Sequence, residues 1–589
     1  MKSFFKIFFA SLLAFVIGSL LCMFIFFGII GAMLSFANTE ETVIVKPNSV
    51  LRIMLDKPVE ERGGSSLSGM SLLSRLSFES NIGINDLVKG VTYAAIDPNI
   101  RMLYMDLSQL QIGAGHLEEL RNAVVQFKES GKPIIAYGDN FSQGAYYLAS
   151  VADRIYLNPF GSLSLQGVRA EIMFFKRLLE KLQIDAQIIR HGKYKSAVEP
   201  VMLDQMSTEN REQVLSFINS IWNHWLAGIA DARGMEVKKL QELADNGIFS
   251  VMGLSSDALS AGLVDGLMYK DELLNELVKL SGERREQDIK MVDVTRYSKV
   301  VKPNLKTRNR IAVVYADGDI TMGKDEEGIT AWNYANILRG VRSDSTIKAV
   351  VFRVNSPGGS AQASEIIARE LALVNDVKPV VISMGNYAAS GGYWISMPSR
   401  MVVTNPTCLT GSIGVFGVIP NLEKGLKNHL GITVDVAKSA QSADFPSGYR
   451  SLSNQERAIS QASIEDIYVN FVKKVAQSRD MDIQTVDALG QGRVWTGLQA
   501  VENKLADHIG GLTEAIEAAA MLAELDSYRL KELPAQKDMY TQLMELFKNS
   551  MISSQSNSIA KTYQKLAKQL DLLQEARILA RMPFDVNIY

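Results

Sequence analysis

The second half of this chain repeats the first at a spacing of roughly 247 residues, so the fold must be one that a single unit can build twice. Ile100–Leu107 matches Ile347–Val354, and Lys132–Ile135 matches Lys378–Val381. Gly144-Ala145-Tyr146 falls on Gly391-Gly392-Tyr393, Asn158-Pro159 on Asn405-Pro406, Lys195-Ser196-Ala197 on Lys438-Ser439-Ala440, and Arg233-Gly234-Met235 on Arg479-Asp480-Met481. So many ordered matches at nearly one offset are hard to obtain by chance.

Each copy alternates short apolar runs, which read as strands, with stretches such as Leu117–Lys128 and Ser364–Val374, where apolar residues recur at helical spacing. Alternation of that kind predicts an α/β fold with a mostly parallel sheet and crossover helices in each repeat. A charged stretch poor in apolar residues, Glu283 to Arg310, separates the copies and carries Pro303. The expected organisation is 1–39, a cytoplasmic N-terminus and membrane anchor; 40–290, an N-terminal repeat; 291–531, a C-terminal repeat; and 532–589, an amphipathic helical segment. In the last, Leu543, Leu546, Phe547, Tyr563, Leu566, Leu570 and Leu573 form the apolar face, expected to pack on the body or on a neighbouring subunit.

At the N-terminus, Lys2 and Lys6 precede an uncharged apolar run from Ile7 to Phe36. A helix needs about 20 apolar residues to cross a bilayer, so the run suffices even when tilted. Positive charge before the span predicts a cytoplasmic N-terminus, with everything after Thr39 on the other side. A cleaved signal peptide ending near Ser35-Phe36-Ala37 is the competing reading, but the apolar core is too long for one by about a factor of two. Cys22 and Cys408 cannot form a disulfide framework, and no Cys/His spacing resembles a metal site, so neither disulfide nor metal nor other cofactor is expected. The net charge of −2, without a dense basic block, gives no reason to expect nucleic acid as a partner.

The copies differ in chemistry. The second carries Pro357-Gly358-Gly359 and, about thirty residues on, Ala388-Ala389-Ser390-Gly391-Gly392-Tyr393, each at the end of an apolar run. Paired glycines let backbone N–H groups approach a reacting carbonyl with no Cβ in the way, and a serine opening a helix gains from the positive end of its dipole. Two tight turns would account for the same residues. Yet the first copy has Gln143 where the second has Ser390, with Ser142 one residue off, and Leu110-Gln111-Ile112 in place of the proline and glycines. Turn residues required by the fold would be needed in both copies. Their loss from one points to a nucleophile and an oxyanion hole in the other.

A serine hydroxyl is a weak nucleophile at neutral pH and needs an adjacent base. The five histidines, His116, His191, His224, His429 and His508, stand in no arrangement that identifies a Ser-His-Asp triad. The Lys-Ser-Ala motif offers Lys195 and Lys438 instead, and spacing leaves both open. A lysine base must bring its pKa from about 10.4 to nearer 7–8, on the order of 4 kcal/mol of environment, which burial without a counter-ion supplies. Glu199 should therefore point away from an active Lys195, whereas His191 and Lys193 would help if close and cationic.

The segments Asn355–Ser360, Ala388–Trp394, Thr410-Gly411-Ser412-Ile413-Gly414 and Tyr194–Pro200 together resemble the signal peptide peptidase A (protease IV) family in its long, duplicated form. The resemblance covers nearly the whole chain. It implies two tandem repeats of the Clp-protease and crotonase type, a Ser-Lys dyad with Ser390 as nucleophile and Lys195 from the other repeat as general base, and an oxyanion hole from the N–H groups of Gly359 and Gly391. Ser412 or Ser196 would orient the lysine. It further implies a serine endopeptidase, assembled as a homotetramer on the bacterial inner membrane with its body on the periplasmic side, that cleaves remnant signal peptides and, as a second class, misfolded proteins. The rival readings are a crotonase-like acyl-CoA enzyme, against which the serine, lysine and anchor speak, and a catalytically silent membrane scaffold.

Overall fold

A computed structural model describes residues 2–37, 44–68, 77–300, 307–323, 328–536 and 577–582. The chain divides into two units, one of residues 1–44, 65–80 and 536–556, the other of 45–64, 81–535 and 557–589. In the smaller unit, Lys2–Ala37 is one helix of 36 residues. Part of its side chains lie outside the described ones, and among the described residues no helix is long and apolar enough to cross a membrane. The sequence of Lys2–Ala37 is almost wholly apolar.

The larger unit holds both repeats. In the first, strands β1 (Ser49–Leu55), β2 (Ile100–Leu110), β3 (Ile134–Gly138), β4 (Arg154–Leu157), β5 (Asp185–His191), β6 (Gly266–Leu267) and β7 (Met291–Asp293) follow in chain order. All but β5 form one parallel sheet in the order β7-β1-β2-β3-β4-β6. The second repeat contributes β8 (Arg310–Asp317), β9 (Ile320–Thr321), β10 (Ile329–Thr330), β11 (Ile347–Ser356), β12 (Gly358–Ser360), β13 (Val380–Ala389) and β14 (Met401–Thr404). It continues with β15 (Leu409–Gly411), β16 (Val415–Asn421), β17 (Val494–Thr496), β18 (His508–Ile509), β19 (Arg529–Leu533) and β20 (Arg577–Arg581). Its parallel strands repeat the first order as β19-β8-β11-β13-β14-β18, with β15 and β17 added beside β13. The central strands β8, β11 and β13 are buried on both faces, which is why they read as continuous apolar runs.

The duplication extends to side chains. Lys132 Nζ donates to the carbonyls of Ala94 and Asp97, and Lys378 Nζ does the same at Val341 and Asp344. The helices Thr208–Arg233 and Asn454–Arg479 both end in a left-handed residue, Gly234 and Asp480, and their last arginines pair with Asp265 and Asp507. The sequence periodicity is thus a periodicity of fold.

Two expected boundaries move. β7 pairs with β1, and Val294 and Tyr297 lie in the first repeat's core, so that repeat runs beyond 290 to Val300. Strand β19 crosses the expected end at 531, and β20 makes residues 577–581 strand where helix was expected. The residues from Leu543 to Leu573 read as an apolar helical face lie outside the described residues.

A third sheet joins the repeats, in the order β10-β9-β12-β20-β16-β5. Strand β5 of the first repeat runs antiparallel to β16 of the second, from Asp185 against Asn421 to His191 against Val415.

Candidate active site

Ser390 follows β13 and opens the helix Gly391–Ser396 with φ 56° and ψ −111°, a conformation costly for a residue with a Cβ. Its N–H donates to Gly411 O at 2.8 Å, and the surrounding burial holds the turn in place. Lys195 arrives from the other repeat. The β5–β16 pairing ends at His191, the chain turns at Gly192 (φ 99°), and Lys195 stands three residues on. Its Nζ donates to Ser390 Oγ at 2.8 Å, to Ser412 Oγ at 3.0 Å and to Ser412 O at 3.1 Å. Both Lys195 and Ser390 are 0% exposed.

Burial alone pushes the Lys195 ammonium well below the ordinary lysine range. Its described hydrogen-bond partners include no carboxylate. Glu199, which would counter the shift, is itself buried and accepts instead from Ser207 N, Ser207 Oγ and Asn210 Nδ2 at 3.2, 2.5 and 2.9 Å. The cationic helpers considered from the sequence are engaged elsewhere: His191 Nδ1 meets Glu465 at 2.6 Å, and Lys193 Nζ lies 5.1 Å from the centroid of the Tyr194 ring. A neutral lysine within hydrogen-bond reach of a serine hydroxyl can take its proton as the oxygen attacks a carbonyl.

Gly358 and Gly359 have φ of 108° and 153°, so β12 approaches the serine loop as only glycine allows. A Cβ on Gly391 would lie 3.1 Å from Gly359 N, and one on Gly358 would lie 2.8 Å from Gly391 N. The two N–H groups named for an oxyanion hole therefore border one small space beside Ser390. Backbone donors so fixed need no reorganisation when negative charge develops on a carbonyl oxygen.

Of the remaining candidates, Ser412 (φ 51°) faces the lysine, whereas Ser196 does not: its Oγ accepts from Gln213 Nε2 at 2.8 Å. Lys438 donates to Gln441 O at 3.0 Å and Asp444 at 3.1 Å within its own loop. In the first repeat, the Gln143 side chain accepts from Gln166 N and Gly167 N at 2.9 and 3.0 Å, tying down its own loop at the position matching Ser390.

Several supporting residues escaped the sequence reading. Gln213 Nε2 also bonds Tyr194 O at 3.0 Å, and its Oε1 accepts from Val494 N at 3.2 Å, linking the lysine turn to β17. Gly492 (φ 82°) lies against Lys195, where a Cβ would come within 2.6 Å of its Cα, and a Cβ on Gly414 would meet its Cδ at 3.1 Å. The sequence reading did not single out Gly490-Gln491-Gly492; the two close glycines are a turn signal that could have been found, but nothing in sequence marks what the turn touches.

Comparison with known proteins agrees with this architecture. The profile of peptidase family S49 matches residues 126–283 and 372–526, one stretch in each repeat. A Protease 4 of Haemophilus influenzae is 35% identical over 83% of this chain and 82% of its own. A Protease 4 of Salmonella typhi is 38% identical over 76% and 73%, and the chloroplastic serine protease SPPA of Arabidopsis thaliana is 31% identical over 83% and 73%. Among solved structures, a ClpP1 mutant of Listeria monocytogenes covers 35% of this chain and 94% of its own at 12% identity and a TM-score of 0.25, too slight a likeness to carry an argument. With both repeats matched, and relatives aligned over most of their length, this chain is a serine peptidase that belongs to peptidase family S49.

Proposed function

We propose that this serine peptidase is a membrane-anchored endopeptidase with a Ser390–Lys195 dyad, acting on remnant signal peptides. One observation carries the reading: a lysine buried without a counter-ion donates a 2.8 Å hydrogen bond to a serine on a strained turn beside paired backbone donors. Lys195 accepts the Ser390 proton as Oγ attacks the peptide carbonyl, and Gly359 and Gly391 N–H groups hold the oxyanion. The bond to the leaving amine breaks, and lysine protonates that amine. Lys195 then activates water to hydrolyse the acyl-enzyme. Ser412 orients the lysine. The repeats are of the Clp-protease and crotonase type, a reading supported by paired glycines at the end of a parallel strand.

The anchor is the helix Lys2–Ala37, whose 36 residues at about 1.5 Å each exceed a hydrocarbon core of about 30 Å. Lys2 and Lys6 keep its start cytoplasmic and put the body on the periplasmic side of a bacterial inner membrane. A tether there brings the site to signal peptides left in the bilayer, and a homotetramer would gather several sites. Misfolded proteins are the second substrate class. Relatives named Protease 4 support proteolysis as the activity.

The test is hydrolysis of casein and of a synthetic signal peptide by wild type, Ser390→Ala, Lys195→Ala and Lys438→Ala. Ser390→Ala and Lys195→Ala should each lose on the order of 10³-fold or more, and Lys438→Ala should match wild type. Activity retained in Lys195→Ala and lost in Lys438→Ala would overturn the cross-repeat dyad.

A further inference from the structure

The repeats differ at a second place, behind the catalytic serine. The helices Ala361–Asn375, Gly391–Ser396 and Asn454–Arg479 of the second repeat line a surface cavity of about 490 Å³, a size that holds small ligands. Its lining includes none of Ser390, Lys195, Gly359 and Gly391. The first repeat has the same three helices, Ala114–Lys128, Gln143–Ala149 and Thr208–Arg233, and there side chains fill the space.

The helices align residue by residue, Glu118 with Glu365, Arg121 with Ala368, Tyr147 with Trp394 and Gly228 with Lys474. Arg121 is buried. Its guanidinium donates to Tyr147 O, to Ser150 Oγ at 2.9 Å and to Gly228 O at 2.7 Å, and lies 4.1 Å from the Tyr147 ring centroid. Glu118 is enclosed by the Tyr147 hydroxyl at 2.9 Å, Trp225 Nε1 at 3.0 Å and His224 Nε2 at 3.1 Å. In the second repeat a methyl group, Ala368, stands in place of the arginine. Glu365 accepts from Trp394 Nε1 at 2.7 Å and pairs with Lys474 at 3.1 Å, and the remaining space is open. The copy that lost the serine has packed this space shut, and the copy that keeps the serine has not.

The lining has changed in charge as well. Ala227 and Gly228 of the first repeat are Lys473 and Lys474 in the second, so two cations face one carboxylate, Glu365. Among the described residues Lys473 has no ion-pair partner. The cavity also opens on the first turn of Ala361–Asn375, the positive end of that helix. Charge therefore favours an anion. Ile467 and Trp394 supply apolar wall, and the amides of Gln362 and Gln477 offer both donors and acceptors. An anion, an apolar side chain and a main chain with N–H and C=O groups occur together at the C-terminus of a peptide.

We propose that this cavity binds the C-terminal end of a short peptide, with its carboxylate on Lys473 and Lys474 and its terminal side chain against Ile467 and Trp394. Each bond that a peptidase breaks creates such a terminus, so the products of this chain have the chemistry the site takes. The inference rests on the peptidase reading and not on which residues form the dyad. Trp394 N donates to Ser390 O at 2.8 Å, and Ala361 directly follows β12. A bound product thus lies against both segments that carry the catalytic groups.

Calorimetric titration of the full chain with acetyl-Ala-Leu-Ala tests this, in the Ser390→Ala background so that no bond is cut. The free acid should bind, its C-terminal amide should bind at least about tenfold more weakly, and inorganic phosphate should bind more weakly than the acid. Lys473→Glu should weaken the acid by a similar factor, and in a chain that keeps Ser390 it should leave casein hydrolysis unchanged. Ala368→Arg should also abolish binding, because it puts into the cavity the side chain that fills it in the first repeat. A thermal melt checks that this variant is folded, and Lys473→Glu decides alone if it is not. Equal binding of acid and amide, or acid binding that survives Lys473→Glu or a folded Ala368→Arg, would overturn the site. Phosphate bound as tightly as the acid would overturn the peptide as its ligand. Casein hydrolysis undiminished in Ser390→Ala would instead overturn the dyad and leave this site standing.

Discussion

Lys195 combines full burial with a polar cluster of serines, and its protonation should govern both catalysis and stability. Its pKa is lowered in the folded protein, so between that value and the ordinary lysine value of about 10.4 the unfolded chain binds more protons. Folding stability must therefore rise with pH across that window. Lys195→Met keeps the volume and removes the charge, so it should unfold at a higher temperature than wild type at pH 7. The gap should narrow as pH approaches 10, which calorimetry at several pH values would measure. The acid limb of kcat/KM should follow the same group, activity rising as the lysine loses its proton. Ser412→Ala removes an acceptor that favours the ammonium, so the limb should move to lower pH. With the lysine less firmly held, kcat should fall by roughly 10- to 100-fold.

At the scale of elements, the pairing of β5 with β16 makes one site from two repeats, and it is also where sequence reading stopped. The parallel strands were legible because burial on both faces writes them as apolar runs, and the lost Gln143 site marked Ser390 as more than a turn. β5, Asp-Ala-Gln-Ile-Ile-Arg-His, has neither an apolar run nor a clean alternation, because its polar side chains have protein partners: Gln187 bonds Arg450 and Leu452 of the second repeat, and Arg190 donates to Lys195 O. Without β5, spacing could not choose between Lys195 and Lys438. Only Lys195 follows a strand aimed at the serine; Lys438 lies in an irregular loop. The lysine turn also depends on the loop at Gly492, whose left-handed φ of 82° and closeness to Lys195 leave no room for a Cβ. Gly492→Ala should cost about 1–3 kcal/mol of stability from backbone strain. It should lower kcat/KM by on the order of 10²-fold by displacing the lysine. Denaturant titration and peptide hydrolysis would separate the two effects.

Over the whole molecule, a site divided between repeats demands that they be locked together, and a buried charge cluster does so. Arg353 on β11 is 1% exposed and donates to Glu61 at 2.8 Å and Glu119 at 2.6 Å, both from the first repeat, while His116 Nε2 meets Glu61 at 2.8 Å. Burial opposes ionisation of Glu61, but Arg353 and His116 outweigh it and hold its carboxyl down to about 2. His116 is shifted the other way: burial disfavours its cation, and the Glu61 carboxylate more than compensates. A carboxyl whose pKa is depressed on folding contributes its full stability above its unfolded value of about 4.3 and loses it as pH falls toward the folded one. Glu61→Gln keeps the shape and removes the charge, leaving Arg353 and His116 short of a counter-ion. Breaking one partner out of a buried pair typically costs about 3–5 kcal/mol, and Glu119 still faces Arg353, so the loss at pH 6 should lie near the lower figure. Between pH 4 and pH 2 the two proteins should converge in urea titrations, because wild type then loses the charge the variant never had. Peptidase activity should disappear at the same urea concentration as the folded structure, since neither repeat holds the dyad alone. Activity outlasting the structural transition would mean that the repeats are not locked by this cluster.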